Sequence, residues 1–154
     1  MPAGTFTLFS RNKDDIRIND IVGATVKVAL VTSAWTPNNT TGGNALWADV
    51  SANELANGNG YTTGGNTMTG LAATATAGTN GYYLAGTIPA WTASGAGIPA
   101  HRYYVMYIVG TVWGQVNPLI GYFIGDTTPA DIPLTTAGNT LTVTTPATGW
   151  FDAI

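Results

Sequence analysis

The strongest constraint on the fold of this chain is an apolar–polar alternation that repeats every two residues. In 25–30, valines and a leucine at the even positions alternate with Thr, Lys and Ala, and in 140–144 Leu and Val alternate with Thr. This period predicts strands that bury one face. Tyr103–Val109 and Leu119–Ile124 are apolar on both faces, which predicts strands covered on both sides.

Short strands and closely spaced turns dominate the rest of the chain. Weaker strand signals lie in 5–9, 61–69, 71–77, 82–85 and 87–91, and Gly and Asn stand at most junctions, where tight turns need them. Helical composition is limited to 14–20 and 45–56, each expected to form no more than a short turn. The pattern predicts an all-β fold: a single-domain β-sandwich, jelly-roll-like, with at most short helical turns.

Charged side chains are unusually scarce. Only 8% of the 154 residues are charged, and none lies between Glu54 and His101, whereas an ordinary soluble domain carries about 25%. Most catalytic and metal-binding sites use ionisable groups, so we expect a protein that is not an enzyme and uses no cofactor or metal. So sparse a surface also predicts that copies of the chain, or partner proteins, cover much of it.

Charge and hydropathy argue against two classes of partner. The net charge is −3 and the five basic residues are scattered, so the phosphate neutralisation that nucleic-acid binding requires is not expected. The apolar runs are shorter than the roughly 20 residues that span a bilayer, and the first residues lack a signal-peptide pattern. There is no cysteine, hence no disulfide. We expect a soluble protein that binds neither nucleic acid nor membrane.

Aromatic and basic residues are the candidates for contact with a partner. Trp35 and Trp113 stand in loop-like settings, and the adjacent Tyr82 and Tyr83 should point to opposite faces of a strand. Trp and Tyr are frequent at binding hot spots; the alternative is that these rings close the ends of the core. Residues 1–25 are expected to form a strand and a charged turn, an arm that contacts partners. Its candidate contact residues are Arg11, Lys13 and Arg17.

The other chemically suggestive residues have structural interpretations. The single histidine, His101, precedes an apolar strand and is expected to make a structural hydrogen bond. Asp49 and Glu54 are a carboxylate pair of the kind that glycoside hydrolysis uses, but Asp49 stands where a capping carboxylate is expected. Asp126 and Asp131 bracket a short loop whose spacing is not that of a calcium loop.

A set of motifs resembles one group of viral proteins. The most specific motif is Asp-Val-Ser-Ala-Asn-Glu at 49–54, which is followed by Gly-Tyr at 60–61 and Gly-Gly at 64–65. Further matching pieces lie at 26–33, 35–38, 102–107, 118–122 and 149–151. On these motifs, which cover most of the chain beyond residue 25, the sequence resembles small structural proteins of tailed bacteriophages, often encoded among the head genes.

The resemblance implies a role in the virion and supplies no catalytic residues. It implies a capsid decoration (cement) protein, made in the host cytoplasm, that binds the outer surface of the major capsid protein lattice and stabilises the shell. Decoration proteins sit at symmetry points, so the resemblance also implies a homotrimer at three-fold positions. The alternative is a tail, neck or fibre-associated structural protein that binds host glycans through exposed aromatic side chains.

Overall fold

A computed structural model describes residues 4–13, 15–78, 81–126, 128 and 130–153. Its one α-helix and two 3-10 turns are short: α1 (Ile18–Val22), Trp47–Asp49 and Ser51–Asn53. The strands are β1 (Thr7–Leu8), β2 (Thr25–Val31), β3 (Asn66–Thr67), β4 (Thr69–Ala75), β5 (Tyr82–Thr87), β6 (Trp91–Thr92), β7 (Tyr103–Val109), β8 (Thr111–Val112), β9 (Gln115–Val116), β10 (Leu119–Ile124), β11 (Thr140–Leu141) and β12 (Asp152–Ala153).

The strands form antiparallel sheets, which confirms the predicted all-β fold and its short helical turns. The largest sheet has five strands in the order β1-β10-β7-β2-β3, and a second has the order β12-β5-β4. Two smaller pairs, β11-β6 and β8-β9, complete the described pairing. The jelly-roll topology stays a prediction.

The larger of two apolar clusters lies between the five-stranded and the three-stranded sheets. Val28 of β2, Met106 of β7 and Phe123 of β10 contribute from one sheet, and Leu84 of β5 contributes from the other. Tyr104 stacks on Phe123, with 4.7 Å between the ring centroids and 4° between the ring planes. This cluster is the sandwich-like core that the alternating strands predict.

A second cluster covers the opposite face of the five-stranded sheet. Ala29 and Val31 of β2 and Val105 of β7 pack there against Trp35 and Val50, which belong to the long connection after β2. The prediction that β2 has one exposed face is therefore correct only for its first half. From Val28 onward every residue of β2 is buried, because the connection returns over that face.

Backbone constraints explain where the predicted elements differ from the observed ones. The strand predicted for 87–91 is wrong: β5 ends at Thr87 and β6 begins at Trp91, since Pro89 between them has no N–H to donate. In 61–69 only Asn66–Thr67 and the first residue of β4 are extended strand, because Gly64 and Gly65 adopt positive φ angles. The helical turn predicted at 14–20 lies at Ile18–Val22, and Asp14 lies outside the described residues.

The side chain of Asn12 hydrogen-bonds the N-terminal segment to the face of the five-stranded sheet that the second cluster covers. Its side chain is fully buried, and its Nδ2 donates to the carbonyls of Ala45 at 2.7 Å and Leu119 at 2.8 Å. Three chain segments distant in sequence therefore meet at one amide. Asn12 has no periodic signal, so the sequence does not predict this role.

Replacing Asn12 should destabilise the protein well beyond the loss of one surface contact. The N12A change removes the side-chain donor from the buried carbonyls of Leu119 and of Ala45, although the Ala45 carbonyl keeps its bond from the Leu119 N–H, so we expect a loss of about 1–2 kcal/mol in the free energy of unfolding. The exposed neighbour Lys13 provides the control, and K13A should change that free energy by less than about 0.5 kcal/mol. Urea unfolding measures both, and equal effects of the two variants would contradict the assignment.

Candidate functional site

Trp35 is not available to a partner, which corrects its prediction as an interface residue. The residue is only 4% exposed. Its ring packs edge-on against Tyr103 and Tyr122, with centroid separations of 5.1 and 5.6 Å. A loop residue becomes a core residue here because its loop folds back over β2 and β7.

The adjacent tyrosines of β5 point to opposite faces, as strand alternation predicts. Tyr82 is 52% exposed and lies beside α1. Tyr83 is half-buried and its ring lies over Gly149, where even a Cβ atom would clash with it. Only Tyr82 is thus accessible enough to serve as a contact residue.

Tyr82 and Arg17 line the same groove, although the sequence gives no sign that they are neighbours. The groove has a volume of about 690 Å³ and runs between α1 and the ends of β4 and β5. We call it the α1 groove; its lining includes Ile16, Arg17, Ile18, Asp20, Ala73 and Tyr82. It combines apolar walls with one cation and one anion.

Arg11 lines a second groove, of about 540 Å³, on the other side of the β8–β9 hairpin. Its guanidinium donates a hydrogen bond to the carbonyl of Gly43 at 3.1 Å, which holds the side chain across the groove. Val116 lies on the hairpin side of this groove and is 60% exposed, a large fraction for an apolar side chain. Lys13 is exposed but lines neither groove.

Trp113 lies at the tip of the hairpin and links the two grooves. Trp113 and Gly114 form the two-residue turn between β8 and β9, with φ angles of 55° and 70°. Turns of this kind favour Asn or Gly, so a bulky side chain at the first position is strained. The indole Nε1 donates to Asp20 of the α1 groove at 2.9 Å, which holds the ring in place.

The second groove and the hairpin tip form one surface of mixed chemistry. We call it the hairpin surface; its groove is lined by Arg11, Leu46, Asp49, Gln115 and Val116. Trp113 adjoins this groove through its neighbour Gly114, while its half-buried ring packs against the larger apolar cluster and bonds to Asp20. Arginine and aromatic residues beside exposed apolar groups are the composition that protein interfaces favour. The sequence marks Arg11 and Trp113 as candidates but misses Val116, whose only signal is an apolar residue beside a Gly-containing turn.

The paired carboxylates are engaged in structural hydrogen bonds. Asp49 accepts from the backbone N–H groups of Ala45 and Leu46 at 2.8 and 3.0 Å, which confirms its predicted capping role. Glu54 accepts from the Tyr61 hydroxyl and the Gly64 N–H. Burial first, and the Glu54 hydrogen bond second, raise the pKa of Tyr61.

The loop carboxylates are also partnered within the chain. Asp126 accepts from the backbone N–H and the hydroxyl of Thr128, and these bonds lower the pKa of Asp126. Asp131 pairs with Arg102 at 2.8 Å and accepts from Ser33 at 3.0 Å. Among the described residues, no group of three or more His, Cys, Asp or Glu side chains could hold a metal ion.

His101 makes the structural hydrogen bonds expected from its place before β7. The residue is 1% exposed; its Nδ1 lies 3.1 Å from the Pro99 carbonyl and its Nε2 lies 3.0 Å from the Tyr104 hydroxyl. A carbonyl only accepts, so Nδ1 carries the proton and Nε2 accepts from Tyr104. Burial lowers the pKa of His101, and this outweighs the opposing effects of the Pro99 carbonyl and Asp131.

Comparisons with known proteins add no assignment. The chain matches no protein-family model, no curated protein and no solved structure. The resemblance to phage structural proteins therefore depends on the sequence motifs alone. No described helix has the length and apolar character needed to cross a membrane.

The buried His101 should make the protein less stable in mildly acidic solution. The pKa of His101 in the folded state lies below the unfolded value of about 6.5. The stabilisation that comes from keeping this imidazole neutral is therefore complete above pH values near the unfolded pKa, and it is lost as the pH falls below them. We expect the free energy of unfolding to decrease between about pH 7.5 and about pH 5.5. Urea unfolding at several pH values measures the decrease.

The variant H101Q keeps a polar side chain but does not titrate, so most of this decrease should disappear. Y104F is the matched control, because it removes the hydroxyl that bonds Nε2 but leaves the titrating imidazole buried. An H101Q protein with the same pH dependence as the unmodified protein would exclude His101 as its source.

Proposed function

We propose that this protein decorates a bacteriophage capsid, binding the outer surface of the major capsid protein lattice through the hairpin surface. The observation that carries the proposal is that surface itself, where Arg11 and the exposed Val116 line one groove and the strained turn residue Trp113 adjoins it through Gly114. The phage resemblance of the sequence supplies the identity of the partner. The surface and the resemblance together support the proposed location on the shell.

The size of the molecule is compatible with a stable contact of this kind. A standard protein interface buries roughly 800 Å² of each partner, about a tenth of the 7333 Å² that this chain exposes. At about 25 cal/mol per Å² of apolar surface, such burial stabilises the contact before the costs of association are subtracted. A copy that contacts neighbouring shell subunits holds them together by area burial alone.

The proposed role requires no catalysis. The carboxylate pair that invites comparison with a hydrolase consists of Asp49, bonded to two backbone N–H groups, and Glu54, bonded to Tyr61 and Gly64. His101 is buried with both ring nitrogens engaged. These side chains support the backbone, so we propose binding as the whole activity.

Copy number distinguishes the proposal from its alternative. Quantitative gel densitometry of purified particles should find this chain in hundreds of copies, comparable to the major shell protein. A tail, neck or fibre component would be present in far fewer copies. Quenching of tryptophan fluorescence by a saccharide, together with a low copy number, would replace the proposal by the glycan-binding alternative.

Changes in the hairpin surface should weaken attachment to the shell. Purified protein added to expanded shells that lack it should bind and raise their melting temperature. W113A and R11A should each lower the affinity about tenfold, because Trp and Arg anchors are the usual hot spots. Sedimentation of shells with titrated protein measures the affinity.

The exposed Thr140, on β11, supplies the control variant T140A, whose affinity should be unchanged. Thermal unfolding of each free variant checks that the fold persists. Undiminished binding of folded W113A and R11A would exclude the hairpin surface as the shell contact. Failure of the unmodified protein to bind any shell would remove the proposal itself.

A further inference from the structure

The strand β4 has an open edge that we infer pairs with β4 of a second copy of this chain. In the three-stranded sheet β12-β5-β4, the described residues give β4 a strand partner on one side only. The inference does not rest on shell binding, although the α1 groove and the hairpin surface adjoin where Trp113 bonds to Asp20.

The register of the sheet identifies which backbone groups face outward. Ala73 lies opposite Leu84, and the backbone of Leu84 bonds toward the other side, to Phe151 at 3.0 Å and Trp150 at 2.9 Å. Ala73 is therefore in a non-hydrogen-bonded pair with β5, and alternation places Ala75 in the same class. The N–H and C=O groups of Ala73 and Ala75 thus point away from β5.

Two of the usual protections of an edge strand are absent from the regular part of β4, although α1 packs beside the strand. The strand reads Thr-Gly-Leu-Ala-Ala-Thr-Ala, without the charged residues or proline that block pairing at natural sheet edges. One irregularity exists: the register shifts between Thr69 and Ala72, where Gly70 has a φ of 63°. It lies at the start of the strand and leaves 72–75 regular.

Local charge favours a second copy as the occupant. An isologous contact about a two-fold axis requires a patch that complements itself. The α1 groove beside Ala73 carries Arg17 and Asp20, which have opposite charges, so a two-fold axis that brings Arg17 of each copy beside Asp20 of the other makes the patch self-complementary. The strand has no charge of its own, so antiparallel pairing of β4 with β4 opposes no like charges.

The predicted assembly is a two-fold dimer with a continuous six-stranded sheet. Tyr82 of β5 lies opposite Ala75 of β4 and is 52% exposed at the α1 groove. In the dimer this side chain becomes buried beside the paired β4 strands. This differs from the trimer that the phage resemblance implies. The two assemblies differ in mass, so one measurement separates them.

Light scattering coupled to size-exclusion chromatography tests the inference on the full chain. The unmodified protein should have twice the 15.9 kDa mass of one chain across the micromolar range. A75K places like charges at the proposed joint and should raise the dissociation constant about tenfold or more. T140K adds the same charge at an exposed position on β11 and should remain dimeric.

Amide hydrogen exchange gives a readout that does not depend on any variant. The Ala73 and Ala75 amides should exchange more slowly as the protein concentration rises, because pairing gives them acceptors. A monomer at every concentration, a trimer, or an A75K protein as dimeric as T140K would overturn the inference. If A75K fails to fold, as circular dichroism would reveal, the exchange of these two amides in the unmodified protein decides.

Discussion

Burial of the central strands on both faces is the constraint on which the rest of this structure depends. Six of the seven residues of β7 are buried, and β2 is buried from Val28 to its end. A sheet covered in this way needs two separate layers. The three-stranded sheet supplies one layer, and the long connection after β2, with Trp35 and Val50, supplies the other.

The two layers that cover the five-stranded sheet determine which side chains remain accessible to partners. The second layer takes up Trp35 and Asn12, while Asp49 is used to fix its short turns. Most of the candidate contact side chains belong to the charged N-terminal segment and to the β8–β9 hairpin, and Tyr82 on β5 adds one from a sheet. The two grooves beside the hairpin are the surfaces that we propose for binding, and Ala73 of β4 and Tyr82 of β5 are the sheet residues in their lining.

The sequence predicts two central strands well because a continuous apolar run records burial on both faces, whereas the alternating segment 140–144 is strand only at Thr140–Leu141. Tyr103–Val109 and Leu119–Ile124 are observed with the predicted bounds. Periodicity does not record which loop folds back, so it misplaces Trp35 and misses Asn12. Periodicity likewise does not predict that Arg17 and Tyr82 line one groove, because their proximity depends on the packing of α1 beside β4.

Hydroxyl-radical footprinting of the protein, both free and within purified phage particles, tests most directly the claim that the hairpin surface contacts the shell. It compares the side-chain oxidation of residues across the surface. The account predicts that Trp113 and Val116 are protected in particles, while Leu134, which is 49% exposed and lines neither groove, stays reactive. Equal oxidation of Trp113 and Val116 in the free and the assembled protein would contradict it.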